Sequence, residues 1–145
     1  MVWARSWLEY VQLAYRTLKR QELALASRRE AALALPSALS MSATHGGASD
    51  PMAKVDAVID AERDMERLDW AWEAIAEFDS VMAQLRDGCE REVLNATWMA
   101  EEHFRFDKPC RVAARNCGVS VSTLLRHIRL LCDYLDYVGK DAFGL

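Results

Sequence analysis

The sequence predicts an all-α protein, with long N-terminal helices forming a hairpin or coiled coil and a C-terminal helix-turn-helix domain after them. Three observations predict it. Of 145 residues, 52% are hydrophobic and 28% charged, enough apolar surface to build a core. Only 3 prolines and 6 glycines punctuate the chain, too few for a loop-rich, collagen-like or disordered one. Apolar residues recur at three- and four-residue steps over long stretches, the period of a helix rather than of a strand.

The first long helix is expected from Val2 to about Leu35. It lacks proline and glycine and carries a stripe at Trp7, Val11, Ala14, Leu18, Leu25 and Ala32. Pro36 ends it. Residues 36 to 51, rich in Ser, Ala, Thr and Gly, read as a flexible linker in which His45 has no partner nearby and faces solvent. Asp50-Pro51 marks the next start, a carboxylate for free amides followed by a proline suited to the first helical turn.

A second long helix, residues 52 to 87, follows as a possible oligomerisation element. Its seam is Val55, Val58, Ala61, Met65, Leu68, Trp72 and Ile75; beyond that the heptad fades and Phe78, Met82 and Leu85 keep helical spacing. The same stripe serves equally for packing on the first helix or on a second chain. Trp70 and Trp72 lie about 200° apart on a helix, so one of them is expected to meet a neighbouring helix or a partner.

The third region, residues 88 to 138, opens at Asp87-Gly88. It should hold a helix from Glu90 to about His103 burying Val93, Leu94 and Trp98, then a turn at Asp107-Lys108-Pro109. A short helix from Pro109 to Asn116, a tight turn at Cys117-Gly118-Val119 and a last helix capped by Ser120 complete it. Gly139 stops that helix.

Several function classes are excluded or disfavoured. The length, one or two small domains, rules out a large enzyme. Arg5, Glu9 and Arg16 interrupt the N-terminal apolar pattern, so neither a membrane span nor a signal peptide is expected, and the location is read as cytoplasmic. Cys89, Cys110, Cys117 and Cys132 are widely separated and read as small buried hydrophobes. Without a close ligand doublet, a metal site with His103 or His127 is not expected, nor any cofactor. Glu101-Glu102-His103 occupies adjacent helical positions that point apart, so no catalytic residues are assigned.

Charge is unevenly distributed. The formal total is −4, yet residues 50 to 102 carry five basic and fifteen acidic side chains, while residues 103 to 132 carry six basic and one acidic. A local basic block matters for polyanion binding even on an acidic chain. Within it, Ala114 is small enough for close helix approach, Gly118 tolerates positive φ, and Val119, Leu124 and Ile128 face inward. Together these specify a helix-turn-helix.

That arrangement leaves Val121, Ser122, Leu125 and Arg126 at the front of the recognition helix as candidate readers of the major groove. Lys108, Arg111, Arg115 and Arg129 flank them as phosphate contacts. Ser120 caps the helix, and Thr123 assists the cap or reaches phosphate.

The chain resembles the phage- and prophage-borne late transcription regulators of the ArpU and RinA type, whose C-terminal part is similar to sigma factor region 4. The matching features are the long first helix, the linker ending Gly46-Gly47-Ala48-Ser49-Asp50-Pro51-Met52, Glu90-Arg91-Glu92-Val93-Leu94, and Val112 to Ile128. Thr97-Trp98 and His127 depart from the family's usual residues. The resemblance implies a sequence-specific regulator of late genes in a bacterial host cell, with double-stranded DNA as partner and host RNA polymerase as a possible second.

A homo-oligomer is expected, because paired half-sites multiply affinity. Two alternatives remain: a small terminase-type packaging protein, and a helical adaptor or inhibitor whose helix-turn-helix only packs.

Overall fold

A computed structural model of the chain describes residues 2–33 and 51–145. Six α-helices are found among them: α1 (Ala4–Leu33), α2 (Pro51–Glu66), α3 (Asp69–Arg86), α4 (Arg91–Ala100), α5 (Cys110–Cys117) and α6 (Val121–Val138). A π-helical turn, Glu101–Arg105, continues α4, and a 3-10 turn, Lys140–Phe143, follows α6. The described residues contain no strand, and no helix among them is long and apolar enough to cross a membrane. The linker, His45 and the proposed Asp50 cap lie outside the described residues.

The chain divides into two compact units, one formed by Met1–Arg16 with Trp70–Leu145 and one by Thr17–Asp69. In the first, the N-terminal end of α1 joins the C-terminal helices in one core. Leu8, Val11, Phe78, Phe104, Leu124, Ile128, Leu131 and Leu135 are fully enclosed there. The sequence-based division, with breaks near residues 35 and 87, separated these partners, because stripe periodicity shows which face is apolar and not what covers it.

Asp136 of α6 ties the two chain ends together. Its Oδ1 accepts hydrogen bonds from the Trp3 and Ala4 amides, both at 2.8 Å. These amides have no intrahelical acceptor at a helix start, so α6 caps α1 across the whole chain. Trp3 adds an indole bond to the Leu135 carbonyl at 3.1 Å.

Further along α1, Arg16 grips Asp107 with two 2.8 Å bonds, Nε to Oδ2 and Nη2 to Oδ1. Asp107 holds φ +47°, a left-handed conformation that Asp tolerates better than most residues. The Arg16 guanidinium, through these bonds and its charge, holds the Asp107 carboxyl below its ordinary value against the opposing effect of burial. The loop ahead of α5 is thereby pinned to α1.

The expected second long helix is two helices. Arg67 and Leu68 interrupt it, and Asp69 opens α3 with a carboxylate in its first turn, a favourable place for negative charge. The interruption shifts the buried stripe. Trp72, placed in the seam by its spacing, is exposed, whereas Ala71, Ala74, Phe78, Val81, Met82 and Leu85 are buried. Trp70 rather than Trp72 meets a neighbouring helix, its ring centroid 5.4 Å from that of Tyr10.

A second correction concerns Trp98, which is 48% exposed. The buried face of α4 is Val93, Ala96, Thr97, Met99 and Ala100. Thr97 enters the core because its hydroxyl donates to the Val93 carbonyl at 2.8 Å, which removes the cost of an unpaired buried polar group.

In the unit Thr17–Asp69, Arg29 pairs with Glu62 at 2.8 Å. Ala32 and Leu33 share an apolar cleft with Val55 and Val58. The contacts run down one helix as they run up the other, the pattern of an antiparallel pair within one chain.

Candidate nucleic-acid interface

The corner between α5 and α6 is made by local chemistry. Gly118 has φ +69°, which costs glycine little and other residues more. Its amide donates to the Arg115 carbonyl at 3.1 Å and that of Val119 to Ala114 at 3.0 Å, the paired bonds of a Schellman motif. Ser120 then starts α6: its Oγ accepts from the Thr123 amide at 3.2 Å and donates to Thr123 Oγ1 at 2.9 Å. Thr123 is thus part of the cap.

Behind this corner Ala113, Ala114, Leu124, Ile128 and Leu131 are buried, and Val119 packs partly against them. With that side of α6 fixed in the core, the other side must face out. Val121 and Leu125 are 39% and 43% exposed, and Ser122, Arg126 and Arg129 are exposed. Ser122, Leu125, Arg126 and Arg129 line one open cleft of about 410 Å³ together with Arg5 of α1. Arg126 also borders a smaller hollow with Glu92, His127 and Leu130.

Not all the cations of the basic block are equally available. Arg111 and Arg115, four residues apart on α5, are exposed. Among the described residues neither they nor Arg126 and Arg129 have a carboxylate within ion-pair distance. Lys108 is different: its ammonium stands 3.9 Å from Glu102 and 5.7 Å from the Phe106 ring centre. Arg105 is paired with Asp79 at 3.1 Å and lies over the same ring. Within the basic block, the guanidinium groups with no carboxylate in reach among the described residues therefore lie on α5 and the exposed face of α6.

The segment before α5 is held by His103. Its Nδ1 lies 2.7 Å from the Lys108 carbonyl, which only accepts, so that nitrogen carries the proton. Nε2 is left to accept from the Cys110 thiol at 3.7 Å. Cys117 and Cys132 are buried, as the sequence reading expected, whereas Cys89 and Cys110 are half-buried. Burial pushes both buried thiols upward, reinforced at Cys117 by Glu102 and opposed at Cys132 by the nearby Arg5 guanidinium. No cluster of three or more metal-ligating side chains occurs among the described residues.

Two residues near this surface escaped the sequence reading. Arg5 reaches the cleft from the opposite end of the chain, and Asp107 controls the loop before α5 through Arg16. Neither lies at a spacing that links it to the corner motif. No protein-family model, curated protein or solved structure matches this chain.

Proposed function

We propose that this protein binds duplex DNA in a sequence-dependent manner and regulates transcription, with the front of α6 entering the major groove. One observation carries the reading: Ser122, Leu125, Arg126 and Arg129 form an open surface on a helix whose opposite side is locked into the core. A helix with side chains is about 10–12 Å across and the major groove about 12 Å wide, so such a surface is of the right size to enter.

Each side chain has a separate task. Arg126 offers two parallel donors to a guanine edge, Ser122 donates or accepts, and Val121 and Leu125 touch thymine methyl groups. Arg111, Arg115 and Arg129 hold register on phosphates. Lys108 contributes less directly, since Glu102 and Phe106 already engage its ammonium.

Control of phage or prophage late genes, with host RNA polymerase as a partner, rests on the resemblance of the Val112 to Ile128 segment. A second copy of the chain fits the economy of such binding, because one small helix-turn-helix makes few phosphate contacts and paired half-sites raise affinity.

The test is binding of a random-sequence duplex pool followed by selection and sequencing, then affinity against salt on the selected site. Affinity should fall steeply as salt rises. Arg126→Ala should relax preference at one base position at a cost of about 1–3 kcal/mol, and Arg129→Ala should weaken all sequences alike. Unchanged binding in both variants rejects the reading. Selected sites upstream of structural genes support regulation; sites at a packaging start support a terminase-type role instead.

A further inference from the structure

The cleft on α6 is completed by a residue of α1. Among the described residues Arg5 is the one contributor to it from outside α6, and it brings a third guanidinium beside those of Arg126 and Arg129. Its position is fixed from several sides. Nε donates to Glu9 Oε1 at 3.2 Å, and the guanidinium carbon lies 5.8 Å from the ring centre of the buried Phe104. Phe104 belongs to the π-helical turn, and turns of that kind recur where a helix is adapted for function.

Glu9 occupies Nε, and the thiol of Cys132 stands beside the guanidinium. A thiol is a weak acceptor, so the terminal nitrogens keep most of their capacity for a stronger one. Asp136 fixes the first turn of α1 directly before Arg5. The guanidinium is therefore presented by an anchored helix end.

We propose that Arg5 is a backbone-phosphate contact for the duplex that α6 reads, so that the chain's first helix flanks the recognition helix on the DNA. A phosphate oxygen accepts from the guanidinium terminal nitrogens while Arg129 holds the same strand from α6. This inference rests on the duplex-binding reading. It adds a contact whose effect is independent of base sequence, because phosphates look alike along a duplex.

The test measures duplex affinity by fluorescence anisotropy against salt concentration for the full chain, Arg5→Gln, Arg5→Lys and Glu9→Gln. Arg5→Gln keeps an aliphatic stem over Phe104, and helical circular dichroism and melting check each fold. Losing one phosphate contact lowers the magnitude of the log–log salt slope by about 0.9, or roughly 5–10-fold in affinity at 0.1 M salt, equally on specific and random duplexes. Arg5→Lys retains most of the slope. Glu9→Gln, at an exposed position, removes the carboxylate that engages Arg5 Nε and tightens binding about twofold.

Wild-type binding with an unchanged slope in Arg5→Gln and unchanged affinity in Glu9→Gln overturns the Arg5 assignment while leaving the duplex reading in place. Absence of any salt-dependent duplex binding by the unaltered chain overturns both.

Discussion

Single residues set the corner on which the proposed DNA surface depends, and their effects are separable. A Cβ at Gly118 meets nothing within 4 Å, so its φ of +69° is the obstacle to substitution. Gly118→Ala should therefore cost about 1–2 kcal/mol in urea unfolding, and Gly118→Asn less, because Asn visits the left-handed region more readily. Ser120→Ala removes the acceptor for the Thr123 amide and should cost about 1 kcal/mol. The two tryptophans of the first turns give a second contrast. Trp3 donates its indole N–H to Leu135, whereas the buried Trp7 indole N–H has no acceptor among the described residues. Trp3→Phe should destabilise more than Trp7→Phe by about 1 kcal/mol, since only the first removes a hydrogen bond, although the Leu135 carbonyl keeps the Gly139 amide as donor.

Between elements, a two-bond fork joins Arg16 to Asp107. Because the Asp107 carboxyl lies below its unfolded value, its contribution is fully present above about pH 4 and is lost as pH falls through the folded value. Arg16 is 42% exposed, so solvent screening limits the pair to about 1 kcal/mol. Stability measured from pH 7 down to pH 2 should show a gap between the chain and its Arg16→Ala variant that is constant at neutral pH and closes in acid; a constant gap throughout would reject the electrostatic account.

The elements also show how far sequence reaches. Gly118, Ser120, Leu124 and Ile128 were readable because the chemistry of a corner is local, and the cap and left-handed turn stand where their residue types place them. The break at Arg67-Leu68 was not, since the apolar stripe continues across it and only the buried face shifts. The sequence places Trp98 on the buried side of its helix, yet it is exposed, and no described element covers it. Arg5 at the cleft and Asp136 at the start of α1 depend on contacts between opposite chain ends, which no local pattern encodes.

At the scale of the molecule, the first sixteen residues belong to the same compact unit as residues 70–145. Trp3, Ala4, Leu8, Val11 and Ala14 are all buried. Fully burying a large apolar side chain is worth about 1.5–3 kcal/mol, so Trp3, Leu8 and Val11 together represent on the order of 5 kcal/mol. That is comparable with the whole stability of a small domain. Deleting residues 2–16 should therefore abolish cooperative melting of the C-terminal helices, although each keeps its own caps and stripe. The loss should appear as a shallow thermal transition by circular dichroism, with exchange of the α6 amides no longer protected. A synthetic peptide of residues 2–16 should restore both, because Asp136 and the exposed core would again find their partners. A deletion that melts as sharply as the full chain would show that the C-terminal helices carry their own core, and that α1 is an attachment rather than a structural member of this unit.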